Sequence, residues 1–330
     1  MHVGSFQVAS SLLGSRCGCV HHRQRLKSMK NSAKRTALFV LIKFKRLLGR
    51  MWVDKIPGAQ RAYKFLKRKL IPPGLVQVDY HGCRVFVDTR DEVLAPSLIA
   101  NAPESYELQV FKELVRPGTV VVDIGANIGI YSLAAARLTG EEGKVYAFEP
   151  EAENYRILVR NIEANKLSNV VPIQKAVANE SCGKRLFMSK YNLAGHSLGE
   201  ENVQDPSGYV EVVTTSLDEF YGDVLRGQKV DILKSDAQGA EGLILDGGRR
   251  FLSENEFSAV MECWPYGLRR LGYGVQHLLD VFDEFGMTYE VLDSRARKKR
   301  RMDPRGIVEM CLKEESIDYH FSFLLRRTGA

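Results

Sequence analysis

VVVDIGANIG, Val120 to Gly129, is a run of apolar, mostly β-branched residues that reaches an acid and then turns between two glycines. Its pattern makes Thr119 to Ile124 a buried strand, Gly125 to Gly129 a tight turn and Ile130 to Thr139 the helix that the turn opens. Glycine supplies positive φ and lets backbone approach a ligand closely. A second short strand, KVYAFE (Lys144 to Glu149), closes on another acid. Strand, turn, helix and strand at this spacing form half of a doubly wound sheet, with Asp123 and Glu149 at the carboxyl edge where such sheets bind ligands.

What the turn lacks narrows the ligand. A dinucleotide fingerprint, G-x-G-x-x-G, cradles a pyrophosphate on backbone amides and a helix N-terminus. Gly125-Ala126-Asn127-Ile128-Gly129 has one glycine where that motif begins with two, and it follows an acid that repels phosphate. An acidic strand end suits a cationic or zwitterionic ligand. S-adenosylmethionine carries a sulfonium, an α-amino group and a ribose diol but no phosphate, and Glu149 is placed to accept both hydroxyls of the diol.

Outward from this turn, Val76 to Tyr80 and Arg84 to Asp88 read as a hairpin around His81-Gly82. Helices follow over Glu92 to Ala100 and Glu104 to Val115, and together these make a lid ahead of the sheet. Beyond Glu149 the pattern predicts a helix over 151–165 and a strand over 169–174. A hairpin of Arg185 to Ser189 against Tyr209 to Val213 then interrupts the rhythm, with a loop from Tyr191 to Ser207. Strands resume at Val230 to Ser235, Ser258 to Glu262 and Thr288 to Leu292, separated by helices over Ala240 to Gly247 and Val275 to Phe285. A basic loop, Arg295 to Arg305, leads to a strand over Gly306 to Lys313 and one more over Tyr319 to Arg326. Alternation of this kind argues for βαβ units and a mostly parallel sheet.

A second set of acids falls at the same edge. ILKSDAQGAEG (residues 232–242) places Asp236 and Glu241 after one strand, and MECWPYG places Glu262 at the end of the next. Carboxylates gathered at one sheet edge are costly unless they meet cations, donors or a ligand. Glu241 also has an ordinary use, as an acid in the first turn of a helix. Methyl transfer to oxygen needs a positioned acceptor and a destination for its proton. Asp236, Glu262 and His196, in the loop AGHSL, are candidates for that base. Lys234, on the same strand face as Asp236, would steady a developing alkoxide or neutralise its acidic neighbours.

The composition is that of a globular chain, with 45% hydrophobic residues among 330. The net charge of +7 is unevenly placed: residues 1–70 hold 17 Lys or Arg and a single acid, Asp54, and the remainder is mildly acidic. Nucleic-acid binding by the core is therefore not implied. Six scattered cysteines lack the paired spacing of a zinc site or a disulfide framework, which fits reduced thiols in a cytoplasmic protein. Cys17-Gly18-Cys19, near His21 and His22, has no second ligand pair. No metal is expected. The apolar run TALFVLI between Arg35 and Trp52 is too short to cross a bilayer. It leaves a basic amphipathic helix resting on a membrane surface, an organelle-targeting segment, or a start at Met29 or Met51.

VVDIGANIGIYSL, YAFEP and LKSDAQGAEG, in this order and spacing, resemble the three signature segments of the FkbM-type S-adenosylmethionine-dependent methyltransferases, and Tyr106-Glu107 ahead of the first strand is similar to a pair typical of that family. The resemblance covers roughly Val76 to Lys313. It implies a Rossmann-like class I α/β fold with a seven-stranded sheet and helices on both faces, residues 1–75 being a basic extension and 76–330 the methyltransferase domain. It further implies contacts to S-adenosylmethionine at Asp123, Gly125, Ala126, Asn127, Gly129, Glu149, Pro150 and Glu107, and O-methylation of a sugar, glycan or small natural product. Where many members have K-I-D-V-E-G-A-E, this chain has Gln238 in place of the second acid. In such folds the basic loop Arg295 to Arg305 lies near the acceptor, where it would grip an acidic group or stay solvated. Two other functions share the sheet: a catalytically silent scaffold that binds the same cofactor, and a nicotinamide-dependent oxidoreductase, which the missing glycine disfavours.

Overall fold

A computed structural model describes residues 27–28, 32–49, 58–314 and 316–327. The Cys17 to His22 segment and the alternative starts at Met29 and Met51 lie outside the described residues. The first elements are β1 (Lys27–Ser28), α1 (Ser32–Gly49) and α2 (Ala59–Leu70), followed by the hairpin of β2 (Leu75–Tyr80) and β3 (Cys83–Asp88). Its turn is His81-Gly82, both at positive φ, the geometry that matches the twist of the flanking strands. No described helix is long and apolar enough to cross a membrane. After the hairpin come α3 (Leu94–Ile99) and α4 (Tyr106–Leu114), the latter capped by the Ser105 hydroxyl.

The next strand, β4 (Val120–Ile124), is buried at all five positions, the signature of a parallel strand covered on both faces. Val120, Val122 and Ile124 pack into one core and Val121 into the other, the two-residue period of a strand. There follow α5 (Ile130–Thr139), β5 (Lys144–Phe148), α6 (Ala152–Ala164) and β6 (Val170–Ile173). The hairpin expected as a lid is fastened to this half of the molecule, because Asn161 of α6 accepts from the Phe86 amide at 2.6 Å and donates to the Phe86 carbonyl at 3.2 Å.

A small separate sheet of β7 (Ala176–Val177), β8 (Gly183–Ser189) and β9 (Pro206–Thr215) then interrupts the alternation, and the expected pairing holds, with Phe187 opposite Tyr209. The chain continues through α7 (Leu217–Glu219), β10 (Ile232–Ser235), α8 (Glu241–Asp246), α9 (Arg249–Glu254) and β11 (Phe257–Cys263). It ends with α10 (Pro265–Arg270), α11 (Val275–Glu284), β12 (Thr288–Asp293), β13 (Lys298–Arg300), α12 (Pro304–Lys313) and β14 (Phe321–Arg327).

The main sheet runs β13-β12-β14-β11-β10-β4-β5-β6. Two expectations are corrected here. Gly306 to Lys313 is helical rather than extended: Asp303 accepts from the Gly306 amide at 2.6 Å, Pro304 opens the first turn, and Ile307 and Cys311, four residues apart, are the buried positions. The sheet has an eighth strand, because part of the basic loop folds back as β13 against β12. β13 and β14 run opposite to the other six strands, which all point the same way. Strand order reverses between β4 and β10, and the crevice at that switch point is where doubly wound sheets take their ligands.

Candidate functional site

The Gly125 to Gly129 turn is shaped from inside. Gly125 has φ 73°, and a Cβ there would lie 1.9 Å from the Asp236 carbonyl oxygen, so the first position tolerates no side chain. Every amide of the turn is committed. Gly125 and Ala126 donate to the Phe148 carbonyl at 3.1 and 2.8 Å, and Gly129 donates to Ala126 at 2.8 Å. Asn127 donates to Glu149 Oε2 at 2.8 Å, and the Ile128 amide donates to Asn127 Oδ1 at 2.7 Å. A phosphate cradle needs such amides free and pointing outward, so this turn is built for a ligand without phosphate.

Behind the turn lies a buried ion pair. Lys234 Nζ is 3.2 Å from Asp123 Oδ1 and donates to the carbonyls of Ile124 and Gly125 at 3.2 and 2.8 Å, while Ser132 donates to Asp123 Oδ2 at 2.6 Å. Burial opposes the charge of Lys234, but Asp123, Asp236 and Glu262 outweigh it and raise its pKa. The Asp123 carboxylate, expected to contact the ligand, is fully buried and faces Lys234 and Ser132. Gly129 likewise faces inward, with Leu158 where a Cβ would point, and Ala126 is buried.

In front of the turn, Gly125, Asn127, Glu149, Pro150, His196 and Asp236 line a cavity with apolar walls from Phe148, Val177, Leu186 and Leu198. Glu149 accepts from Asn127 and, at 2.9 Å, from the Glu151 amide. Burial nevertheless pushes its carboxyl up to about 7. Each of its oxygens keeps a lone pair for a further donor. The loop over the cavity is tied down at the Leu193 carbonyl, which accepts from Asn127 Nδ2 at 3.2 Å and Asn154 Nδ2 at 2.8 Å. His196 belongs to this wall. Its Nδ1 accepts from the Ser189 amide at 3.0 Å, burial holds its pKa below the usual value against the pull of Glu151, and its buried Nε2 has no partner within the chain. The hydrogen-bond pattern assigns the proton to Nε2, a donor held in the cavity wall. A double acceptor in Glu149, an unmatched donor in His196, apolar walls and no anion cradle fit S-adenosylmethionine.

The second acidic group is organised by the residue that departs from the expected pattern. Gln238 Nε2 donates to Asp236 Oδ1 at 2.8 Å and lies 3.3 Å from Glu262 Oε2, bridging the two carboxylates. Burial, with Asp236 and Glu241 nearby, raises the Glu262 carboxyl well above its ordinary value. Glu241 is fully buried and turns inward, accepting from the Ala237 amide at 2.8 Å; burial takes it to about 7.

Three spaces meet at this bridge. Asp236 and Gln238 border the cavity already described, while Gln238 and Glu262 border an open cleft of about 740 Å³. Asp236, Glu262 and Lys234 border a smaller cavity of about 260 Å³. Glu107, expected among the cofactor contacts, lines that third space beside Tyr131, accepts from the Ser294 hydroxyl and does not line the cavity in front of the Gly125 turn. His196 and Lys234 likewise stand apart from the open cleft. His320, which borders both spaces beside Glu262, escaped the sequence reading. The missed signal was the direction of β14: an antiparallel strand begins where its parallel neighbours end, with Phe321 opposite Cys263.

Residues 123–289, just over half of the chain, match the family described as the Methyltransferase FkbM domain. The chain is 32% identical over 83 residues to the catalytic subunit of the tRNA (adenine(58)-N(1))-methyltransferase of Yarrowia lipolytica, covering 25% of this chain and 21% of that protein. It is 26% identical over 143 residues to Methyltransferase 1 of Beauveria bassiana, covering 38% and 57%. It thus spans less than two thirds of the length of either relative. Among solved structures, Trm5b of Pyrococcus abyssi superposes with a TM-score of 0.41 at 16% identity, covering 82% of this chain and 71% of that one. On the match to residues 123–289, with the three signature segments and a cavity that suits the cofactor, the chain belongs to the FkbM-domain family of S-adenosylmethionine-dependent methyltransferases.

Proposed function

We propose that this chain methylates a hydroxyl oxygen of a sugar, glycan or glycolipid. The observation that carries the reading is the Asp236-Gln238-Glu262 bridge standing where the cofactor cavity opens on the cleft. S-adenosylmethionine, when bound, supplies an electrophilic methyl carbon on its sulfonium. Glu149 would hold the ribose diol, with Gly125, Asn127, Pro150 and His196 forming the rest of its seat. Lys234 and Asp123 keep the turn in shape rather than touching the acceptor. Gln238 holds one oxygen of each acid, and the ionised member of the pair takes the hydroxyl proton. Raising the pKa of Glu262 brings its basicity nearer to neutrality, where a general base is most effective. The glycolipid form of acceptor suits a chain whose α1 and α2 expose Val40, Phe44, Phe65 and Leu66 among basic residues.

Glu262→Gln and Asp236→Asn are expected to lower turnover by about 10²–10⁴, and Glu262→Gln, which lies outside the cofactor cavity, should leave the affinity for S-adenosylhomocysteine nearly unchanged. The acceptor for this assay comes from comparing glycans and lipids of cells with and without the gene, looking for the loss of one methyl group. Undiminished turnover in both variants would remove the pair from the chemistry. Calorimetry with S-adenosylmethionine and NAD separates the remaining readings. Failure to bind the former sinks the methyltransferase, and binding without turnover on any acceptor favours a silent scaffold.

A further inference from the structure

The open cleft beside Glu262 has a chemical character of its own. Among the described residues that line it, the acids are Glu92, Asp205, Glu262 and Asp318, and Lys67 is the only lysine or arginine. Lys67 is already satisfied, its Nζ lying 3.3 Å from both Oε2 and the carbonyl oxygen of Glu92. The wall also holds two hydrogen-bond acceptors with no partner in the chain: Asn192 Oδ1 and Asn202 Oδ1, both buried. Asn202 is 5% exposed, and its amide nitrogen is spent on Ser197 Oγ and on the carbonyls of Gln238 and Gly267, so its oxygen is the side-chain polar atom left without a partner in the chain. Trp264 anchors its indole N–H on the Ile317 carbonyl at 2.7 Å, committing the polar edge of the ring and leaving apolar surface for the cleft.

A surface of this kind asks for a ligand rich in donors. Buried oxygens left unmatched cost about 1–3 kcal/mol each, and a hydroxyl or ammonium proton removes that cost. A phosphate or carboxylate brings more acceptors to a wall that already has too many, against like charge. We propose that this cleft is the acceptor site and that it selects neutral or amino-bearing polyols while rejecting polyanions, with α2 contributing one wall through Tyr63 and Lys67. This deepens the proposed methyl transfer to a sugar hydroxyl and rests on it. The basic strand β13 does not line this cleft, and Lys299 pairs with Glu113 at 3.6 Å, Arg300 with Asp293 at 3.6 Å and neighbouring Arg301 with Glu290 at 3.6 Å.

The test uses the full chain saturated with S-adenosylhomocysteine, on an array of neutral, amino-substituted, uronate-bearing and phosphorylated oligosaccharides with a short single-stranded RNA alongside. Retention of neutral or amino sugars at least about tenfold above the uronates, phosphosugars and RNA is expected, like charges across an interface being strongly disfavoured. Asp205 and Asp318 are exposed, so Asp205→Lys with Asp318→Lys leaves the fold intact. That variant should lose amino-sugar binding and gain uronate binding, each by about tenfold. Preference of the unaltered chain for RNA or anionic sugars overturns the proposal, as does silence toward every neutral and amino sugar. Calorimetry with S-adenosylhomocysteine alone reports separately on the cofactor site, so its failure counts against the methyltransferase reading and not against the cleft.

Discussion

Asp123 and Glu262 are carboxylates at the ends of β4 and β11, the two strands that flank β10, yet the fold treats them in opposite ways. Asp123 has Lys234 at 3.2 Å and the Ser132 hydroxyl at 2.6 Å, and it serves as a structural anion sealed behind the cofactor turn. Glu262 has no cation in direct contact among the described residues and borders two open spaces; the Gln238 amide lies at 3.3 Å with the Asp236 carboxyl beside it. The difference is one of register. Lys234 sits directly opposite Asp123 across the β10–β4 pair, while on the other side its neighbour is Val260, two residues short of Glu262. The lysine of the central strand thus pairs directly with Asp123, while burial and the neighbouring acids raise Glu262 in spite of it. A half of the site fixed by ion pairing stands beside a half left free for chemistry.

Removing the cation should break this contrast most severely. Lys234→Met leaves Asp123 buried without its partner and is expected to cost about 3–5 kcal/mol, read from urea unfolding. Adding Asp123→Asn should return part of that loss, since an uncharged pair is far less costly to bury. A single substitution costing under about 1 kcal/mol would show that the pair does not carry the turn.

Glu149 sharpens the contrast from the cofactor side. Glu149→Gln keeps the shape but weakens charge-assisted acceptance of the ribose hydroxyls, and the affinity for S-adenosylhomocysteine should fall by about 1.5–3 kcal/mol. The acid titrates at about 7 in the empty site, and the ligand's donors favour its ionised form. Affinity should therefore be full above pH 7 and decline as pH falls through that value. The Gln variant should show no such decline, and a wild-type affinity that is flat across this range would assign the diol to another group.

The smallest effect is expected farthest from the acids. Arg297, Lys298 and Arg300 lie on or beside β13, where Arg297 covers the Tyr106 ring at 5.5 Å and Arg300 pairs with Asp293. Reversing all three charges should move the acceptor KM by no more than the equivalent of about 0.5 kcal/mol. A larger rise would restore the basic loop as an acceptor grip.

The alternating strands and helices between Thr119 and Leu292 were legible because a fully buried strand such as β4 and an amphipathic helix such as α11 have distinct periods. The turn was legible because two glycines and an acid leave few alternatives. Segment 306–313 is rich in apolar and β-branched residues, which suits a strand, but Asp303 and Pro304 begin a helix and those helix-start signals prevail. The stretch 298–300 gave no signal, since a strand of three charged residues exists only through its partner β12. His320 and Asn192 sit in irregular chain and Asn202 ends a single 3-10 turn (Glu200–Asn202), so each acquires its neighbours from distant segments that local patterns do not record.

The doubly wound core, its carboxyl edge, a phosphate-free ligand at the Gly125 turn and the family to which the segments belong can all be read along the chain. These rest on local patterns: strand and helix periods, a glycine at positive φ, and acids at strand ends. Tertiary structure alone decided what each acid does. Asp123 and Glu262 differ in surroundings rather than in chemistry, and a carboxylate's state depends on whether a cation, an amide or open space lies within a few ångströms. Those distances are fixed by strand register and by the return of β14, and local sequence patterns record neither.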